Sequence, residues 1–145
     1  MGFRFSLAAV LGFRESVERR EELSLQQVLL EIAHTHHQIE QLTVEIAQAQ
    51  ESLNKILKQP MSAFQLQNIL AGVDLIVARK KALQDSLVPL EQRREAQMQT
   101  YQTANRSRRM LSDMKDRQRD VYDQELARRE QKTLDDIFGA RAQRN

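Results

Sequence analysis

The sequence predicts an all-α fold: a long antiparallel two-helix coiled-coil hairpin with an overhanging C-terminal helix. Three observations predict it. Leu25, Ile32, Ile39, Ile46 and Leu53 recur every seven residues, with Val28, Thr35, Leu42, Ala49 and Ile56 recurring three positions later. A proline at Pro60 closes that run, and the apolar residues after it mirror those before it. A helix of 3.6 residues per turn keeps a 3.5-residue repeat facing one partner only by supercoiling around it, so a partner helix is required.

The chain opens on Phe3, Phe5, Leu7, Val10, Leu11 and Val17, followed by a charged patch over residues 15–22 where the seam is poor. Helix one is expected over about residues 5–58. It ends there because Pro60 drives the residue before it out of helical space. A turn over about residues 59–62 follows, and Ser62 with Gln65 three positions later reads as a capping box restarting the chain. So short a connection between long helices makes them antiparallel neighbours.

Helix two is expected over about residues 63–138, with a frayed tail at 139–145. Folding about residue 61 pairs position i with 122 − i. Leu66 then meets Ile56, Ile69 meets Leu53, Val73 meets Ala49, Ile76 meets Ile46, Leu83 meets Ile39, Leu87 meets Thr35 and Leu90 meets Ile32. Lys80 opposite Leu42 and Arg94 opposite Val28 are polar intrusions whose aliphatic stems can lie along the seam. The same register sets Glu45 beside Arg79 and Glu31 beside Arg93. Beyond Arg94 the seam thins to Gln97, Tyr101, Ala104 and Arg108, recovers at Leu111 against Leu11, and brings Leu7 near Met114. Helix one is then exhausted. About thirty residues, carrying Val121, Tyr122, Leu126, Leu134, Ile137 and Phe138, are left to overhang by on the order of 45 Å. Pro89 inside helix two is expected to bend it near Asp85, with Gly72 a second weak point.

Composition limits what else the chain can be. With 145 residues, 29% charged, 5% aromatic, four Gly and two Pro, it has little for turns or a thick core. The absence of Cys removes disulfides, thiol nucleophiles and thiolate metal sites. No apolar run approaches the roughly eighteen residues of a membrane span. Residues 5–13 are too short and lack the cleavage pattern of a signal peptide. Met1-Gly2 with Ser6 fits an acylation pattern, but a single acyl chain anchors only marginally, and an ordinary N-terminus is expected. Net charge is +2. Residues 1–54 hold four Arg against eight Glu, a net of −4, and the remainder carries +6. Opposite charge on two helical halves favours their pairing over a nucleic-acid partner.

The sequence carries no catalytic constellation. His34, His36 and His37, with Glu31 and Glu40, form the one metal-like cluster, but they point around the helix instead of converging, so a solvated surface is expected and no metal. There is no glycine-rich phosphate loop, Ser/His/Asp set or inward carboxylate pair, and a two-stranded seam has no concave interior. Arg106, Arg108, Arg109, Arg128 and Arg129 alternate with Asp113, Asp116, Asp120, Asp123 and Glu130, which reads as a mixed solvated face. The expectation is no enzyme activity, cofactor, nucleic acid or small-molecule substrate.

The two ends carry a resemblance. The opening Phe3-Arg4-Phe5-Ser6-Leu7, continuing through Val10-Leu11 to Arg14-Glu15, resembles the aromatic-basic-aromatic start of the flagellar type III export protein FliJ family. The closing run over residues 117–136, with Arg119-Asp120-Val121-Tyr122 and Glu125-Leu126-Ala127-Arg128-Arg129-Glu130-Gln131-Lys132, is similar to that family's C-terminal helix. The likeness covers nearly the whole chain.

The resemblance implies a cytoplasmic, non-enzymatic stalk and adaptor of the bacterial flagellar export apparatus, peripherally associated with the inner membrane. Its implied partners are the hexameric flagellar export ATPase, the export gate membrane protein and flagellar substrate chaperones. It also implies that the terminal ends enter the ATPase ring, which carries ring contact onto Phe3, Phe5, Leu7, Val10, Leu11, Tyr122, Leu126, Arg128, Arg129, Lys132 and Ile137. Gate contact near the bend falls on Phe64, Ile69, Leu70 and Val73, although the family usually shows more aromatics there and this chain has only Phe64. Ile69 and Val73 are equally well explained by seam packing. The competing readings are the equivalent stalk of a virulence type III secretion system, a generic coiled-coil scaffold, and a basic nucleic-acid-binding rod.

Overall fold

Ala, Leu, Glu, Gln, Lys and Arg dominate the chain, and helix is what they form. The computed structural model describes residues 2–144 and places nearly all of them in two helices, α1 over Ala8–Ile56 and α2 over Ala63–Arg144. Met1 of the acylation pattern and Asn145 of the expected tail lie outside the described residues. The helices pack against each other within two compact units, one of Glu22–Thr100 and one made from the first 21 residues with those from Tyr101 onward. No strand forms among the described residues, and the fold class is all-α.

The unit Glu22–Thr100 is the hairpin that the heptads specify. Leu25, Val28, Ile32, Thr35 and Leu42 are buried, and Ile39, Ile46, Ala49, Leu53 and Ile56 are half-buried beside them. From α2, Leu66, Ile69, Val73, Ile76, Leu83, Leu87 and Leu90 are half-buried. Of the two polar intrusions, Lys80 is half-buried, as its stem allows, and Arg94 is exposed. Gln38, Gln41, Leu42 and Glu45 line one hollow with Arg79 and Leu83, while Val28 and Gln27 share another with Arg93 and Gln97. Arg93 Nη1 donates to Glu31 Oε2 at 3.1 Å across the helices. These neighbours fix the expected register. Thr35 is the buried polar residue of the seam, and its hydroxyl donates to the Glu31 carbonyl at 2.8 Å, so its desolvation is compensated.

The bend differs from expectation at one end. α1 stops at Ile56 and not Lys58, because its last turn tightens into a bond from the Gln59 amide to the Ile56 carbonyl at 2.9 Å before Pro60. α2 begins as expected: Ser62 Oγ accepts from the Gln65 amide at 3.2 Å, the forward half of a capping box. No described residue other than glycine has positive φ, nor does any described glycine, so the reversal needs no left-handed position. α2 is continuous through Gly72 and Pro89, with Ser86 Oγ donating to the Leu83 carbonyl at 2.6 Å one turn before the proline.

In the other unit, α1 starts at Ala8, three residues later than expected. Phe5 lies outside the helix, its carbonyl accepting from the Ala8 amide, and it is buried, as Leu11 and Ala104 are elsewhere along this unit. Phe3 packs on Tyr122, with ring centroids 5.7 Å apart and planes tilted by 49°. Nonhelical chain covers about twice the length per residue of a helix, so the opening reaches Tyr122 where a helix would have stopped short. The overhang is correspondingly shorter than thirty residues. It comprises residues 123–144, roughly six helical turns, and every one of them is exposed. The tail expected to fray after residue 138 is helical to Arg144, since a single Gly139 costs only about 1 kcal/mol in a helix.

Candidate functional site

Three surfaces carry the residues singled out from the sequence, and packing separates them. At the chain's opening, Phe5 and Leu11 are buried within the unit, at 7% and 6% exposure, so they hold the opening onto α2. Phe3, Leu7 and Tyr122 are half-buried and Val10 is exposed. Phe13, which the sequence reading passed over, is 62% exposed with the Arg14 guanidinium 5.9 Å from its ring centre.

Seven residues further along α1 than Leu11, a charge takes the seam position. Glu18 accepts from Arg108 Nε at 2.6 Å, from Arg108 Nη2 at 3.4 Å and from Asn105 Nδ2 at 3.2 Å. The two charged side chains keep only 16% and 28% of their surface exposed. The fork of hydrogen bonds from Arg108 holds the Glu18 carboxyl below the usual glutamate range against the opposing cost of burial, and Asn105 and the charges of Arg108 and Arg109 assist. Glu18 in turn raises Arg108, chiefly through the same hydrogen bond. Sequence reading saw only a poor seam over residues 15–22. Arg108 already stood on the seam by its spacing from Tyr101; the signal passed over was that Glu18 continues the a-type spacing back from Leu25.

The second surface is the overhang, where Leu126, Arg128, Arg129, Lys132 and Ile137 are all exposed. They do not share a face. Continuing the seam spacing of α2 beyond Tyr122 gives Glu125, Arg129, Lys132 and Asp136, all charged. The apolar side chains Ala127, Leu134 and Ile137 lie roughly 150° around the helix at about 100° per residue, with Leu126 and Phe138 flanking them. The surface that holds α1 therefore ends at Tyr122, and a different apolar face begins. Leu134 is 49% exposed and Phe138 62%.

The third surface is at the bend. Phe64 is 72% exposed and Leu70 42%, whereas Ile69 and Val73 are half-buried in the seam. Leu57 at 54% exposure and Leu75 at 72% are further exposed apolar side chains of this unit. His34, His36 and His37 are exposed, and among the described residues no three His, Cys, Asp or Glu side chains converge as a metal site would. Among the described residues no helix is long and apolar enough to cross a membrane.

Two long helices packed along a heptad-spaced apolar seam define a coiled-coil protein. The family model described as the flagellar FliJ protein matches residues 3–145, and the chain belongs to that family, whose members are non-catalytic components of flagellar type III protein export. Comparison with curated proteins gives no match, and comparison with solved structures gives none.

Proposed function

We propose that the chain is a stalk and adaptor of the flagellar export apparatus: its overhanging helix, with the Phe3 and Tyr122 end beside it, enters the ring of the export ATPase. The observation that carries this reading is the exposed helix of residues 123–144, whose apolar face does not continue the seam that holds α1. A helix of that length without tertiary contacts is marginal in water, so a partner that covers it contributes to its order. Leu126, Ile137 and the cations Arg128, Arg129 and Lys132 are the ring-facing candidates. Phe5 and Leu11 act indirectly, by fixing the opening against α2.

At the bend, Phe64 and Leu70 are the side chains free to meet the membrane-embedded export gate, with Ile69 and Val73 holding the surface beneath them. Gate contact makes the protein peripheral to the inner membrane, and substrate chaperones are carried by the same adaptor. Membership of the flagellar family supports this system over the virulence counterpart.

The test is assembly and ATP hydrolysis by the cognate export ATPase with and without this chain. The full chain should promote both, and a variant lacking residues 118–145 should promote neither while keeping its helical circular dichroism and cooperative unfolding. A truncated chain with full effect overturns ring insertion.

A further inference from the structure

Residues 120–144 repeat an a/d pattern of their own: Asp120, Ala127, Leu134 and Arg141 at one position, Asp123, Glu130, Ile137 and Arg144 at the other. Acidic groups stand at its start, basic groups at its end, and Ala127, Leu134 and Ile137 lie between, interrupted by Glu130. In an antiparallel two-stranded seam, a positions meet d positions at the same height. Pairing position i with 264 − i of a second copy puts Ala127 against Ile137, Leu134 against Glu130, Asp123 against Arg141 and Asp120 against Arg144, each twice by the dyad.

We infer that the overhanging helices of two copies of this chain pair antiparallel through this stripe. The charge order excludes the parallel arrangement, which sets Asp120 and Asp123 against their own copies and Arg141 and Arg144 against theirs. Lys132 lies at the height of the dyad but on the outer face of the helix, so the two copies of it do not collide. All eight stripe residues are exposed, on the side of α2 away from the seam that holds Phe3 and Leu11. The Glu130 stems beside Leu134 and the small Ala127 keep the interface weak and reversible. The partner is a second copy of the chain, so the inference does not depend on any export ATPase.

Sedimentation equilibrium on the full chain over roughly 5–500 μM tests it, because a weak pair dissociates within that range. The wild-type chain should pass from monomer to dimer. The double variant Asp120→Arg with Asp123→Arg, and separately Arg141→Asp with Arg144→Asp, should each dimerise at least about 10-fold more weakly. An equimolar mixture of the two should recover wild-type association, since every opposed pair is then of opposite charge. Recovery shows that neither variant is merely misfolded. A chain monomeric throughout, charge variants that dimerise as well as wild type, or a mixture no stronger than its components overturns the inference. Loss of ATPase stimulation alone leaves these results unchanged and bears only on the ring reading.

Discussion

At the level of single residues, the Glu18 and Arg108 pair shows how a charge replaces an apolar side chain within a seam. Its forked geometry compensates the desolvation of both groups. Removing one partner leaves the other partly buried and under-satisfied, so Arg108→Ala should destabilise by about 1–2 kcal/mol in urea unfolding. Because Glu18 is held below its ordinary value, the pair's stabilisation is fully present above pH about 4.5 and is lost as pH falls through the lowered value. Glu18→Gln should therefore flatten the acid limb of the stability profile. An acid limb as steep as wild type contradicts that assignment. Sequence reading could not find the pair, because a charge at a seam position has the same spacing whether or not its partner arrives.

At the level of the helix, the apolar period is what the sequence displays most clearly. Every seam position from Leu25 to Ile56 proves buried or half-buried, and Glu31 meets Arg93 as the register requires. Helix ends were less legible. Phe3, Phe5 and Leu7 recur at every second residue, the spacing of extended chain, and Phe5 is buried from outside the helix. That alternation was the legible sign that the opening is not helical, and it sets Phe3 on Tyr122. Gly139 reads as a stop but does not end the helix, since breaking it requires more than one weak residue. Gly72, by contrast, is a removable weakness: a β-carbon there meets no atom within 4 Å. Gly72→Ala should stabilise the chain by about 0.5–1 kcal/mol. A loss of stability would mean that a close helix approach needs the glycine.

At the level of the whole molecule, charge and exposed apolar surface divide the work. The net −4 of residues 1–54 against +6 of the remainder is used between the helices, where Glu18 and Glu31 of α1 meet Arg108 and Arg93 of α2. The cations of the overhang, Arg128, Arg129 and Lys132, stay exposed, interspersed with Glu125, Glu130 and Asp135. At the bend the sequence already singled out Phe64 and Leu70, which are exposed, whereas the exposed Leu57 and Leu75 were passed over because their spacing belongs to no seam. The overhang was legible as surplus length, but its new apolar phase appears only once the seam is traced to Tyr122. Hydrogen exchange on the dilute free chain, repeated with the cognate export ATPase, tests this most directly. Residues 123–144 should exchange rapidly alone and become protected in the complex, while the seam from Leu25 to Leu42 stays slow in both. A tail already protected in the dilute free chain, or one whose exchange the ATPase leaves unchanged, contradicts the account.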